Sequence, residues 1–213
     1  MSGETTDAAF EELLKKAAEL RGHLCLGLPL GIKMSLKGLS ALGMQDPASR
    51  GELVVFVENN RCAVDAVQVA TGCSMGSRRL KVFEYGKSAA TFYDREKGRA
   101  VRVFARPQLT SEAMRLAVGS GILAEGESPD PSSKLGRKAM MNAFMKMSAD
   151  ELFDQREVEL RDASSFARGA SVPRTRCANC GEEILDGRGV ASGGNVLCLP
   201  CSGSGYYVVP KTS

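Results

Sequence analysis

The chain has 213 residues, of which 43% are hydrophobic and 25% are charged, as in ordinary globular proteins with a sizeable apolar core. Its formal net charge of +3 is too small to indicate nucleic acid or an anionic membrane as a partner. No stretch has the roughly 18 uninterrupted apolar residues that cross a bilayer, and no signal peptide is evident, so we expect a cytoplasmic protein without a membrane partner.

Helical and strand-like patterns follow one another along the first 150 residues. Apolar residues at helical spacing predict a first helix that ends at Gly22 and a second that runs from Pro29 to Gly43. LVVFVE at 53–58 predicts a buried strand, and a short helix over 63–70 follows it. Further strands are predicted at 80–85, 89–94 and 99–106, and further helices at 111–118 and 133–147. These elements predict one α+β or α/β domain with about four strands.

Four of the seven cysteines form two C-x-x-C pairs near the C-terminus: Cys177 with Cys180, and Cys198 with Cys201 after seventeen intervening residues. Two-residue gaps let both thiolates of a pair face one ion, and a hairpin between the pairs brings them together. A segment of about 40 residues buries too little apolar surface to fold alone. We therefore predict one structural zinc per chain, with all four positions filled by cysteine.

A polar stretch without periodicity, RDASSFARGASVPRT at 161–175, precedes these cysteines and is typical of a linker. We place an α+β domain at residues 1–165, the linker at 166–176 and a treble-clef or zinc-ribbon domain at 177–213. Arg188 is the only basic residue between the cysteine pairs. That scarcity of positive charge argues against nucleic acid as a partner of the finger without excluding it.

The only histidine, His23, lies two residues before Cys25 in the segment GHLCLGLPLG, between the first two predicted helices. At this spacing the imidazole and the thiol can point the same way. The N-terminus of the helix that follows favours a thiolate, so we expect the pKa of Cys25 to be lowered. Such a cysteine is suited to bind a metal or to act as a nucleophile.

Cys62 has an equivalent position at the start of the third predicted helix, which makes it the preferred third ligand beside His23 and Cys25. Cys73 is the other unpaired cysteine, but a straight helix over 62–73 would be about 16 Å long, too long for both thiols to reach one ion. Only a bent or shorter helix would let Cys73 join. For Asp65, one turn after Cys62, the sequence leaves three roles open: it orients a ligand, it accepts a proton, or it simply caps its helix.

The chain resembles the FmdE family, which takes its name from formylmethanofuran dehydrogenase, over nearly its whole length. The resemblance rests on an ordered series of segments: GHLCLGLPLGIKMS, VENNRCAVDAVQVATGCSMG, EYGKSAATFYD and the four-cysteine module. It implies a thioredoxin-like α+β core with a mixed sheet of about five strands, a treble-clef zinc finger and a homodimer. It also implies a metal-binding active site formed by His23, Cys25 and Cys62.

Two functions fit these features. The first is a metal-dependent enzyme, or an accessory subunit with an oxidoreductase complex as partner, in one-carbon or molybdenum and tungsten metabolism. Three protein ligands there leave a fourth position for water or substrate. The second is a binding module whose zinc finger contacts nucleic acid or protein while the first domain serves as a sensor or scaffold. Thiol redox chemistry is disfavoured, because the first domain has no C-x-x-C pair.

Overall fold

The computed structural model describes residues 7–127, 129–166 and 174–207. The chain divides into two compact units, Met1–Ala163 and Ser164–Ser213. Residues 167–173 of the predicted linker and residues 208–213 of the predicted zinc-finger domain lie outside the described residues. Within the described ranges, no helix is both long and apolar enough to cross a bilayer.

The first unit contains helices on a mixed β-sheet. Its helices are α1 (Asp7–Arg21), α2 (Gly27–Leu42), α3 (Ala63–Thr71), α4 (Leu109–Gly119), α5 (Lys134–Lys146) and α6 (Ala149–Leu152). Its strands are β1 (Leu53–Val57), β2 (Leu80–Val82), β3 (Ala89–Asp94), β4 (Arg99–Ala105) and β5 (Phe153–Val158). The strand order is β2-β1-β3-β4-β5, with β1 and β2 parallel and the other neighbours antiparallel. The predicted α+β class with a mixed five-stranded sheet is confirmed.

Two strands differ from the sequence prediction. The strand predicted at 80–85 ends at Val82, because the chain then turns and the N–H of Tyr85 donates to the carbonyl of Phe83. The strand β5 was not predicted at all. Its sequence FDQREV pairs with β4 along its full length, but it lies at the sheet edge, where four of its six side chains are polar and three are exposed. Such a strand lacks the apolar signal on which a sequence prediction depends.

One face of the sheet forms the main core against α2. Val55, Phe92 and Val103 on this face are fully buried. Burial of each such side chain contributes about 1.5–3 kcal/mol. A Cβ on Gly38 of α2 would overlap the ring of Phe92, so only glycine lets the helix backbone approach the sheet this closely. Gly38 therefore sets the short distance between α2 and the sheet.

The opposite face carries a row of side chains in register, Phe56, Thr91, Arg102 and Arg156 on β1, β3, β4 and β5. Arg102 donates two hydrogen bonds, at 2.6 and 2.7 Å, to the carboxylate of Glu58 just after β1. Glu58 is buried, and its proximity raises the pKa of Arg102. This two-pronged ion pair holds β1 and β4 together across the intervening β3.

Helices α1, α2 and α3 pack on one another around a second apolar cluster, Leu14, Ala17, Leu28, Ile32 and Ala66. Lys33 of α2 extends from this bundle to the end of α5. Its Nζ donates to the carbonyls of Phe144 and Met145, at 2.8 and 2.9 Å, and to that of Met147. It also lies 4.9 Å from the ring centre of Phe10 on α1. The side chain of Lys33 thus connects three helices.

The second unit contains two short β-hairpins within its described residues. Thr175–Arg176 pairs with Glu183–Ile184, and Val190–Ser192 pairs with Asn195–Leu197, in both cases antiparallel. Each hairpin has a cysteine pair beside it: Cys177 and Cys180 lie in the turn of the first, and Cys198 and Cys201 follow the second. The hairpins therefore place the two C-x-x-C turns close together.

Candidate metal centres

Four cysteine sulfurs gather in the second unit. The Sγ atoms of Cys177, Cys180, Cys198 and Cys201 all lie within 4.8 Å of one another. The sulfurs of Cys180 and Cys198 are 3.8 Å apart. A tetrahedral zinc with Zn–S bonds of about 2.3 Å has sulfurs about 3.8 Å apart, so the observed spacing fits such an ion. The second unit therefore holds a four-cysteine metal site.

Backbone hydrogen bonds hold the two cysteine turns in place. The N–H of Cys177 donates to the carbonyl of Glu182 at 2.9 Å, and the N–H of Gly181 donates back to the carbonyl of Cys177 at 3.0 Å. In the second turn the N–H of Ser202 donates to the carbonyl of Cys198 at 2.9 Å. The amide of Asn179 donates to the sulfur of Cys201 at 3.3 Å. Such outer contacts orient the ligands and stabilise thiolate charge.

The pKa values of these thiols diverge strongly. N–H groups of Cys180 and Cys198 donate to the sulfur of Cys177 and lower its pKa to about 6. For Cys180 the N–H of Glu182 lowers the pKa, but desolvation and the neighbouring cysteines outweigh it and raise the pKa to about 12. Four thiolates this close repel one another unless a cation lies between them. The donor set thus requires a dication to be fully ionised, as zinc provides.

The first unit brings Cys25 and Cys62 together. Cys25 precedes α2, and Cys62 immediately precedes α3. The two helix starts approach so closely that a Cβ on Gly27 would overlap the sulfur of Cys62, and one on Gly31 would lie 2.7 Å from the carbonyl oxygen of Ala63. Both cysteines are half-buried. Glycine at these two positions of α2 is therefore what lets the thiols face one another.

The expectation of a lowered pKa at Cys25 is wrong. Burial, followed by the nearby thiol of Cys62, raises the pKa of Cys25. The N–H groups of Gly27 and Leu28 at the start of α2 do lower it, but by less. Without a bound cation Cys25 is accordingly a neutral thiol near pH 7. A metal ion would have to displace the proton, and this couples metal affinity to pH.

His23 does not join the two thiols in this structure. Its side chain is exposed, in the turn between α1 and α2. Among the described residues, the four cysteines of the second unit are the only set of three or more histidine, cysteine or acidic side chains within 4.8 Å of one another. Cys25 and Cys62 therefore form a pair of thiols, and His23, two residues before Cys25, does not complete a three-ligand cluster with them.

Asp65 and Cys73 have separate environments. The carboxylate of Asp65 pairs with Arg21 at the end of α1 at 3.2 Å, and this links the segment before His23 to α3. Cys73 lies fully buried beyond the other end of α3, where its thiol is 3.5 Å from the carbonyl oxygen of Leu53. Burial raises the pKa of Cys73. The whole of α3 separates Cys73 from Cys62, and Cys73 belongs to the main core.

A cavity of about 180 Å³ opens beside Cys62. Its lining comprises Gly27, Leu30, Gly31, Met34, Asn59, Arg61, Cys62, Ala63, Ser88 and Phe153. Asn59, Arg61 and Ser88 were not predicted from the sequence as site residues. The signal for two of them was present, since Asn59 and Arg61 directly precede Cys62 in the segment ENNRC.

Two family models match separate parts of the chain. A family model described as "FmdE, Molybdenum formylmethanofuran dehydrogenase operon" matches residues 20–154, more than half of the chain. The chain belongs to the FmdE family. A second model, the prokaryotic dksA/traR C4-type zinc finger, matches residues 172–204 and includes all four clustered cysteines. The family predicted from the ordered motifs is thus confirmed, together with a C-terminal zinc finger.

Two individual proteins are also similar to this chain. The chain is 33% identical over 207 residues to a "Probable S-adenosyl-L-methionine-binding protein" of Archaeoglobus fulgidus. The match covers 93% of this chain but only 55% of the relative, so the chain spans about half of that protein. A crystal structure of a tungsten formylmethanofuran dehydrogenase FmdE-like protein from Syntrophus aciditrophicus is 22% identical, with a TM-score of 0.64. That match covers 93% of this chain and 95% of the other, and it supports a shared fold.

Proposed function

We propose that the first unit binds a transition metal through Cys25, Cys62 and His23, and that it acts as a metal-dependent enzyme or as an accessory subunit. The observation that supports this most directly is the convergence of two half-buried thiols, from separate helix starts, at the edge of a cavity. A dithiol of this kind suits a soft or borderline cation such as zinc. The finger carries a second, structural zinc with no open position.

The exposed turn at His23 gives the histidine freedom to complete the site when a metal arrives. Three protein ligands would then leave a fourth position for water or substrate. A metal in such a site polarises a carbonyl or lowers the pKa of bound water. The Arg21 and Asp65 pair joins the end of α1 to α3 and so positions the turn that carries His23 beside Cys62.

Membership of the FmdE family supports a proposal for the biological setting. We place the protein in one-carbon or molybdenum and tungsten metabolism, as a cytoplasmic homodimer that works with an oxidoreductase complex such as a formylmethanofuran dehydrogenase. We do not propose S-adenosylmethionine as a ligand of this chain, because nearly half of the relative named for it lies outside the matched region. The cavity beside Cys62 is also small for a nucleoside ligand.

Cobalt substitution tests the proposal on the full chain. Metal-free protein is titrated with Co²⁺, whose sulfur-to-cobalt charge-transfer absorption reports thiolate ligation. We expect a tight equivalent from the finger and a weaker second equivalent that is lost in Cys62→Ser and reduced at least about tenfold in affinity in His23→Ala. Cys73→Ala serves as the control, because that cysteine is buried away from the site. A wild-type titration that ends at one equivalent would contradict the proposal.

A binding module is the second candidate function, and the match to the dksA/traR finger favours it. Tyr206 is 98% exposed, and Leu185 and Leu199 are also exposed, so the finger presents apolar groups that a partner protein could cover. Salt-dependent binding of DNA or RNA, lost when Arg188 and Arg176 are changed to Gln, would instead support a nucleic-acid partner.

The proposed homodimer is tested separately, by measuring the molecular mass of the protein in solution by light scattering.

A further inference from the structure

The cavity beside Cys62 has the size of a site for a small molecule. Its volume of about 180 Å³ lies below the roughly 300–1,000 Å³ of sites for drug-sized ligands. It lies between α2 and the start of α3, and the turn before β3 contributes Ser88. The thiol of Cys62 forms part of the wall, so a ligand here would be adjacent to the proposed metal.

Arg61 gives this cavity its charge. It is exposed, and its guanidinium forms no ion pair with any described residue. No acidic side chain of the described residues lines the cavity. The nearest buried carboxylate along the chain, Glu58, is already held by Arg102. The cavity therefore offers an uncompensated positive charge, which an anionic ligand would match.

Some polar groups around Arg61 form hydrogen bonds within the protein, and others remain to contact a ligand. Asn59 is committed, because its amide donates to the carbonyl of Lys87 at 2.7 Å and its side-chain oxygen accepts from the N–H of Arg61 at 3.1 Å. The N–H of Val64 donates to the carbonyl of Arg61 at 2.9 Å. These bonds fix the backbone at Arg61 and leave its guanidinium, with the exposed hydroxyl of Ser88, to contact a ligand.

The remaining walls are apolar. Met34 and Phe153 are almost fully buried, and Leu30 is half-buried beside them. A purely inorganic anion would gain nothing from these surfaces, whereas a short hydrocarbon chain would bury apolar area at about 25 cal/mol per Å². A guanidinium also matches the planar, two-oxygen geometry of a carboxylate.

We propose that this cavity binds a small organic carboxylate, with the carboxylate on Arg61 and the short apolar body against Met34, next to Cys62. Its role as the substrate of the metal site rests on the function proposed above. Its binding does not, because Arg61 and the apolar wall are present without a metal. The two ideas can therefore fail separately.

Alkylation of Cys62 tests the carboxylate site directly. Iodoacetate and iodoacetamide both transfer a carbon to the thiolate with loss of iodide, and they differ by a carboxylate against a neutral amide. Metal-free full-length protein is treated with each reagent, and the rate at the peptide containing Cys62 is followed by mass spectrometry. The ratio of the two rates cancels any change in the thiolate fraction, since both reagents attack the same thiolate.

We expect the ratio of iodoacetate to iodoacetamide rates to fall at least about threefold in Arg61→Gln and to fall by less in Arg61→Lys, which keeps the positive charge but not the planar guanidinium. Arg115→Gln is the matched control: this arginine is exposed on α4 and lines a different cavity, with Arg106 and Glu112. Butyrate should slow the reaction of Cys62 with iodoacetamide in wild type and not in Arg61→Gln.

An unchanged rate ratio in Arg61→Gln would overturn the proposal, and so would protection by inorganic phosphate equal to that by butyrate. If the ratio behaves as expected while the cobalt titration shows no second equivalent, the carboxylate site stands and the metal proposal fails. The opposite pair of results removes the carboxylate site alone.

Discussion

Gly27 and Cys62 meet where the first turns of α2 and α3 approach, and the sulfur of Cys62 fills the space that a Cβ on residue 27 would occupy. We predict that Gly27→Ala displaces the thiol, costs about 1–3 kcal/mol of stability and weakens cobalt binding at the first unit. Denaturant unfolding and the cobalt titration measure the two effects. Gly119→Ala, with nothing within 4 Å of its Cβ position, should be neutral or slightly stabilising.

The ion pair of Glu58 and Arg102 predicts a loss of stability when its cation is removed. Arg102→Met leaves a buried carboxylate without its partner, so we expect a loss of about 2–3 kcal/mol near neutral pH. Arg99→Met is the control, since Arg99 and Glu157 form an exposed pair worth under about 1 kcal/mol. Denaturant unfolding at neutral pH measures both losses, and equal losses in the two variants would contradict the prediction.

Cys73 predicts a loss of stability at alkaline pH. Burial raises its pKa in the folded protein above the ordinary value of 9.0. A raised folded-state pKa gives a contribution that is complete below about pH 9 and is lost as pH rises toward the folded value, because the unfolded thiol ionises first. Cys73→Ala should therefore lose less stability than wild type between neutral and alkaline pH. Parallel denaturation curves in the two proteins across this range would refute the prediction.

The four-cysteine site predicts local unfolding on loss of metal. Cys180→Ser should release the zinc of the finger and expose residues 174–207 to proteases, because the metal supplies most of the stability of so small a unit. The first unit should keep its thermal transition. Zinc content and limited proteolysis check both statements, with Ser204→Ala as the control. A finger that stays protease-resistant without zinc would show that packing, rather than the ion, holds it.

Much of the fold follows from local sequence signals. Gly43 ends α2 in a left-handed conformation, as its position after an apolar helical pattern predicted, and Gly72 ends α3 in the same way. The buried strand β1 was equally evident, because all five of its residues are apolar and buried. The strand β5 was not, since a polar edge strand is defined by its hydrogen-bonding partner β4 and not by its own composition.

The candidate site was predictable only in outline. Cys25 and Cys62 both precede helices, and that pattern indicated two thiols at helix starts. Their mutual contact depends on glycines at 27 and 31, whose role becomes visible only when two helices are packed together. Burial at Cys25 reverses the expected pKa shift, because desolvation is a tertiary effect. The charge of Arg61 acquires meaning only through the cavity that surrounds it.

The side chain of Lys33 couples local unfolding of α2 to local unfolding at the end of α5. Its ammonium accounts for three carbonyls at and just after the end of α5 and also lies against Phe10 of α1. If α2 moves away, those carbonyls lose their shared donor in a partly buried setting, so the last turn of α5 cannot remain ordered by itself. Amide hydrogens at the end of α5 should therefore exchange with solvent in the same cooperative event as those of α2, although these two helices lie far apart along the chain.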